Sequence, residues 1–231
     1  MNKLTRRYLY FALGLAINSF GIAFITKSAL GTSPISSVPY VLSLNYTSIS
    51  FGTFTFILNM GFILVQFLLL RKEFQPVQLL QIVVNLVFSS LIDVSMELLS
   101  WFSTATLLVR CLSLLLGCLI LGTGIAVEVA PDVIVVPGEG IVGAIAYVTK
   151  QEFGRVKIFF DCTLMLTSLI LSFVFFGSMQ GIGIGTIISA LLVGRIVSFM
   201  NMHLPLIRRI RGLRGREAVK DVLLEEQEKG E

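Results

Sequence analysis

The chain has 231 residues, 55% of them hydrophobic and 14% charged, with a mean hydropathy of +0.88. That composition excludes a water-soluble domain and describes an integral membrane protein. The formal net charge of +4 is carried by arginines and lysines at the ends of hydrophobic runs, where they set topology. Nucleic acid is therefore excluded as a partner and membrane lipid is the expected surrounding.

Lys3, Arg6 and Arg7 precede an apolar run from Tyr8 to about Thr26. The pattern resembles a signal peptide, but the run exceeds the roughly 7–15 residues of a cleaved core and reads as a retained span. A crossing helix needs about 20 apolar residues. Segments at about 8–27, 51–70, 78–100, 106–129, 158–176 and 183–202 satisfy this. The expected fold is all-α and polytopic, with about six transmembrane helices in one domain over 1–204. The tail 205–231 is basic first and acidic last, and reads as solvated.

Two further stretches are apolar but short, at about 33–46 and 133–148. They belong to Ser28–Tyr40 (SALGTSPISSVPY) and Ala130–Ala144 (APDVIVVPGEGIVGA), where Gly and Pro break the hydrophobic pattern. Proline lacks a backbone donor and glycine favours irregular backbone, so neither reads as an ordinary spanning helix. Non-helical backbone at membrane depth persists only when buried in protein or lining a watery cavity. Both stretches are expected to be re-entrant or half-helical.

Positive residues fix the expected orientation. Lys3, Arg6 and Arg7, then Arg71 and Lys72, then Lys150, Arg155 and Lys157, then Arg208, Arg209, Arg211, Arg214 and Arg216 all fall on one side of a six-span chain. That side is the cytoplasm, so both termini are cytoplasmic. Lys27 and Arg110 fall near the other side and count against it.

The halves repeat. Gly21-Ile22-Ala23 matches Gly124-Ile125-Ala126, Ser33-Pro34 matches Val136-Pro137, and Phe51-Gly52 matches Phe153-Gly154, at an offset of 102–103 residues. Each repeat, about 8–100 and 106–202, holds three spans and one broken stretch. An odd number of crossings inverts the second copy, a pattern that places a binding site at paired broken segments in transporters.

In each broken stretch a proline opens a short run, with Thr32 or Ser33 available to cap the first. The N–H groups at a helix start attract carboxylate or phosphate. The expected substrate site is built from Gly31, Thr32, Ser33, Pro34, Ser36 and Ser37 with Pro137, Gly138, Glu139 and Gly140. Glu139, the acid on a half-helix, is the first choice for a substrate or proton site. Ionisable residues in spans default to function, so Asp93, Glu128, Asp161 and Arg195 form a candidate intramembrane charge network. Asp161 is expected to pair with Arg155 or Lys157, and Asp93 and Arg195 have structural pairing or snorkelling as the plainer explanation.

The run GIGIGTIISA from Gly181 lacks the strand and lysine of a phosphate loop and reads as a close-packing helix face along Gly181, Gly185 and Ser189. Cys111, Cys118 and Cys162 read as small buried hydrophobes. With His203 as the lone histidine, no catalytic residue, metal site or cofactor is expected, and the chain is not read as an enzyme.

ALGTSPISSVPYVLS with FGTFTFILN, and VVPGEGIVGAIA with FGRVKIFFD and GIGTIISALLVGRIV, resemble the YczE/YyaS/YitT group of bacterial membrane proteins across most of residues 10–200. The resemblance implies a bacterial plasma-membrane protein of about six spans. It also implies an acid two residues after the proline in one or both loops. Here Glu139 follows Pro137, while Ser36 stands after Pro34. The expected function is a small secondary transporter of a small polar or anionic solute, with a non-transporting scaffold or regulator of a partner complex as the alternative. A homo-oligomer is compatible with either.

Overall fold

Hydrophobic run length and the placement of Pro, Ser and Gly set the helices. The structure, a computed structural model, describes residues 2–214. The long helices are α1 (Lys3–Lys27), α3 (Phe51–Leu70), α4 (Leu80–Leu98), α5 (Leu107–Val129), α7 (Phe153–Phe176) and α8 (Ile184–His203). All six, with short 3-10 turns extending α3 and α4, are long and apolar enough to cross a membrane. Between them lie two short helices, α2 (Pro34–Asn45) and α6 (Pro137–Thr149), and α9 (Pro205–Arg211) follows α8. Ser50 caps α3 and Thr106 caps α5 by accepting from Thr53 N and Val109 N, as short hydroxyl side chains at helix starts do.

Polarity runs opposite to that of a soluble domain. Asn18, Asn59, Gln66, Gln81, Asn85 and Glu128 are buried, while Leu107, Phe159 and Val174 are at least 70% exposed. Such an apolar exterior has lipid as its natural solvent. The chain is a multi-pass helical membrane protein.

Side-chain links give the helix directions. Arg7, near the start of α1, donates to Pro131 O and Asp132 O just beyond the end of α5. At the other end Lys27 O accepts from Thr104, just before α5. The two helices are therefore antiparallel, and we call the Arg7 end the first face and the Lys27 end the second. α3 starts at the second face, where Gly52 N donates to Asp93 near the end of α4, and returns to the first. α7 starts at the first face, since Phe153 shares a cavity wall with Leu70 at the end of α3. It finishes at the second, where Phe175 meets Tyr46.

The two short helices double back. α2 follows α1 at the second face and ends there, with Tyr40, Val41 and Leu44 against Gly181. α6 follows α5 at the first face and ends there, before α7. Their starts meet, because a Cβ added to Gly138 would collide with Ile35 Cδ1. α2 packs on α7, and α6 packs on α3. Both broken stretches thus form short helices that start in the interior and end at the face from which they entered. The second begins four residues later than its apolar run, because Pro137 occupies the first helical turn and Val136 keeps extended backbone.

The α1–α5 contact is built on glycines. Added Cβ atoms at Gly14 and Gly117 would run into backbone of Glu128 and Ile25, and those at Gly21 and Gly124 into backbone of Leu121 and Asn18. Small residues permit such close approach where no hydrophobic effect drives helices together.

The α3–α4 hairpin is held by polar rungs. Asp93 accepts from Ser50 Oγ at 2.6 Å and Gly52 N at 2.7 Å. Asn59 donates to Asn85 Oδ1 at 2.8 Å, and Gln66 pairs with Gln81 at 3.3–3.4 Å. α7 and α8 have no comparable set of contacts.

The tail departs from its sequence reading at its start. Ile207 and Ile210, three residues apart on α9, are fully buried against Ala126 and Val127 of α5 and Ala130 just after it. The apolar spacing docks this turn rather than leaving it in solvent. The acidic end of the tail lies outside the described residues.

Candidate functional site

Each half-helix begins with proline after an extended residue, Ser33 before α2 and Val136 before α6. Ser33 does not cap α2 with its side chain; its hydroxyl donates to Ser36 Oγ at 2.9 Å. Ser37 Oγ donates to Pro34 O at 2.6 Å, and Thr32 Oγ1 meets Thr26 Oγ1 at 2.8 Å. All four are buried. The first loop therefore satisfies its own hydroxyls inside the protein.

The start of α8 locks that loop from the second face. Gly185 N donates to Leu30 O at 2.8 Å, Thr32 N to Thr186 Oγ1 at 3.2 Å, and Ser189 Oγ to Thr32 O at 3.2 Å. Gly31 has φ +128°, where L side chains are strained, and Thr186 Oγ1 occupies the place of a Cβ. A Cβ at Gly185 would lie 2.7 Å from Leu30 O. The small residues from Gly181 onward do serve close packing, and the surface they pack against is the first broken loop.

The second loop is open. A cavity of about 550 Å³ enters from the first face between the α3–α4 hairpin, the irregular segment 132–135 and α6. Glu139 and Gly140 line it, together with Gln81, Gly143, Tyr147 and Glu73. The size falls within the roughly 300–1,000 Å³ of small-molecule sites. Glu139 makes no side-chain hydrogen bond or ion pair with a described residue. It lies within electrostatic reach of Lys157 and Asp161 on α7.

The ten expected site residues are thus divided. Glu139 and Gly140 face the cavity; Pro137 and Gly138 are buried and do not line it, Pro137 O accepting from Gln66 at 3.1 Å and Gly138 abutting Ile35. Gly31, Thr32, Ser33, Pro34, Ser36 and Ser37 are not among the lining residues of this cavity.

The four charged residues do not form one network. Asp93 braces the start of α3, Glu128 accepts from Asn18 Nδ2 at 2.6 Å, and Asp161 pairs with Lys157 at 2.8 Å. Arg195 is exposed on α8 with no partner among the described residues. Of the cysteines only Cys118 is buried; Cys111 and Cys162 stand on outward faces.

Gln66 and Gln81 are the residues that sequence reasoning missed. They support the inner end of α6, and a Cβ on Gly140 would lie 2.6 Å from Gln66 Oε1. Their signal is present: Gln66 lies seven residues after Asn59 and Gln81 four before Asn85, so each pair shares one side of its helix.

With this geometry in place, the family is decided by a match that runs over residues 5–202, to a family of unknown function, DUF6198. The chain belongs to DUF6198. This DUF6198 chain is also 23% identical over 211 residues to the uncharacterized protein YyaS of Bacillus subtilis (strain 168), covering 88% of this chain and 94% of the relative. The family is thus of YyaS type. No solved structure matches the chain.

Proposed function

We propose that the chain is a small secondary transporter of a small polar solute. Its two repeats are inverted copies, and solute reaches the junction of α2 and α6 through the cavity at Glu139. The observation that carries this reading is a reciprocity at the α1–α5 contact. Gly14 meets Glu128 while Gly117 meets Ile25, and Gly21 meets Leu121 while Gly124 meets Asn18. Each pair turns into the other under the 103-residue offset. Such mutual exchange of partners is what a two-fold axis would produce and supports one that, between antiparallel helices, would lie in the membrane plane. The same exchange relates α2 on α7 to α6 on α3, and α1 on α4 to α5 on α8.

The copies differ in one way that suits transport. α3 and α4 are bonded together and the cavity beside α6 is open. α7 and α8 are not, and the start of α8 seals α2. Interchanging the two arrangements would open the second face and close the first, which is alternating access about a fixed centre. The first face carries Arg7, Arg71, Lys72, Arg155 and Arg208, so by the positive-inside rule it is the cytoplasmic side of a bacterial plasma membrane and the cavity opens inward. Purified protein in proteoliposomes, screened against a panel of small polar solutes, should show saturable flux that Glu139→Gln reduces at least tenfold. Absence of flux from well-folded protein would refute the proposal.

A further inference from the structure

The paired half-helix starts favour an anionic solute by their dipoles, but the residues around the cavity argue for the opposite charge. Its ionisable lining residues are Glu73, Asp132 and Glu139, and no lysine or arginine lines it. The amides of Gln75, Gln78 and Gln81 add neutral acceptors. Deepest of the acids is Glu139, half-buried where Glu73 and Asp132 are exposed, and its carboxyl has no hydrogen-bond or ion-pair partner among the described residues. Its nearest charged neighbours do not supply a free cation. Lys157 is held by Asp161 at 2.8 Å, and Glu128, an acid that feels the charge of Glu139, accepts from Asn18. Glu139 also stands in the first turn of α6, where a carboxylate offsets the helix dipole that would otherwise attract an anion. A carboxyl at membrane depth without a partner is costly, and a bound cation removes that cost.

We infer that the solute of this cavity is a small organic cation, an amine or quaternary ammonium of a size fitting about 550 Å³, held by Glu139. This rests on the transport reading and names its substrate class. Tyr147 and Phe153, both on the wall, provide aromatic surface of the kind that binds ammonium groups. Entry is from the first face, between the α3–α4 hairpin and the segment 132–135.

The test uses full-length protein in nanodiscs. Thermal-shift and calorimetric titrations with tetramethylammonium, putrescine and choline are set beside acetate, succinate and inorganic phosphate. At least one of the cations should raise the melting temperature saturably and none of the anions should. Glu139→Gln, which keeps the side-chain size, should weaken that binding at least tenfold. Gly143→Leu supplies a second variant, since Gly143 lines the cavity and a Cβ added there meets no neighbour within 4 Å. It should weaken cation binding by occupying volume while leaving the melting temperature of the unliganded protein unchanged or higher. Saturable shifts with anions alone, shifts with neither class, or cation binding unaffected by both variants would overturn the inference. Flux assays separate the two readings. Carboxylate or phosphate flux without cation flux leaves a transporter and removes the cation, whereas cation binding without flux keeps the site and removes transport.

Discussion

Replacing Gly21 or Gly124 by alanine tests the glycine-built contact between α1 and α5. A Cβ at Gly21 would sit 2.5 Å from Leu121 N and 2.6 Å from its Cα, and one at Gly124 2.5 Å from Asn18 N and 2.8 Å from its Cα. Ordinary contact begins at 3.4 Å, so α1 and α5 must part by roughly 1 Å, because the opposing atoms are backbone and cannot rotate away. Overpacking of this kind costs about 1–3 kcal/mol, while glycine to alanine in a helix returns about 1 kcal/mol. The net loss should be up to about 2 kcal/mol at each site. Gly61→Ala, where nothing lies within 4 Å, should instead gain about 0.5–1 kcal/mol. Because one separation relieves both clashes, the double variant should lose less than the two single losses together. Reversible unfolding of purified protein in mixed micelles measures all four. If Gly21→Ala and Gly124→Ala are no less stable than the parent, or if their losses differ by more than about 1 kcal/mol, the reciprocal contact is wrong.

In the α3–α4 hairpin, Asn59→Leu leaves the Asn85 amide with Phe56 O alone and should cost about 1–3 kcal/mol, whereas joint replacement of Asn59 and Asn85 by leucine should cost much less; the same unfolding assay decides. Ile210→Ala removes a fully buried side chain between α9 and α5 and should lower stability by about 2–5 kcal/mol. A solvated tail would show no change. A cysteine at Glu139 should react with a water-borne thiol reagent, and one at Ser36, buried beside Ser33, should react far more slowly. Equal rates would mean that the first loop also opens to water.

The spans and the half-helices were legible because hydrocarbon thickness sets run length and because proline suits the first helical turn, where Pro34 and Pro137 stand. Gly21 and Gly124, matched in the sequence at an offset of 103 residues, both lie at the α1–α5 contact. Partner choice was not legible. Asn18 bonding Glu128, Gln66 bonding Gln81 and Asp93 bracing Gly52 all join residues on different helices, and local pattern does not say which faces will meet. Nor did the two loops announce their difference. Both are Gly/Pro-broken, yet Gly185 and Thr186 lie flush on Leu30 and Thr32, while the bulkier polar hairpin around Gln75–Gln81 stands clear of the second loop and leaves the cavity beside Glu139. The docking of α9 was obscured by its arginines, which dominate a stretch whose two buried isoleucines lie three apart.

Labelling from each side of the membrane tests the opposed re-entrant helices most directly. In a variant lacking Cys111, Cys118 and Cys162, single cysteines at Tyr46, where α2 ends, and Lys150, where α6 ends, are exposed to an impermeant maleimide in right-side-out and inverted vesicles. Tyr46→Cys should label only from the outside and Lys150→Cys only from the inside. Labelling of both from the same side would contradict the inverted arrangement and, with it, the shared solute path.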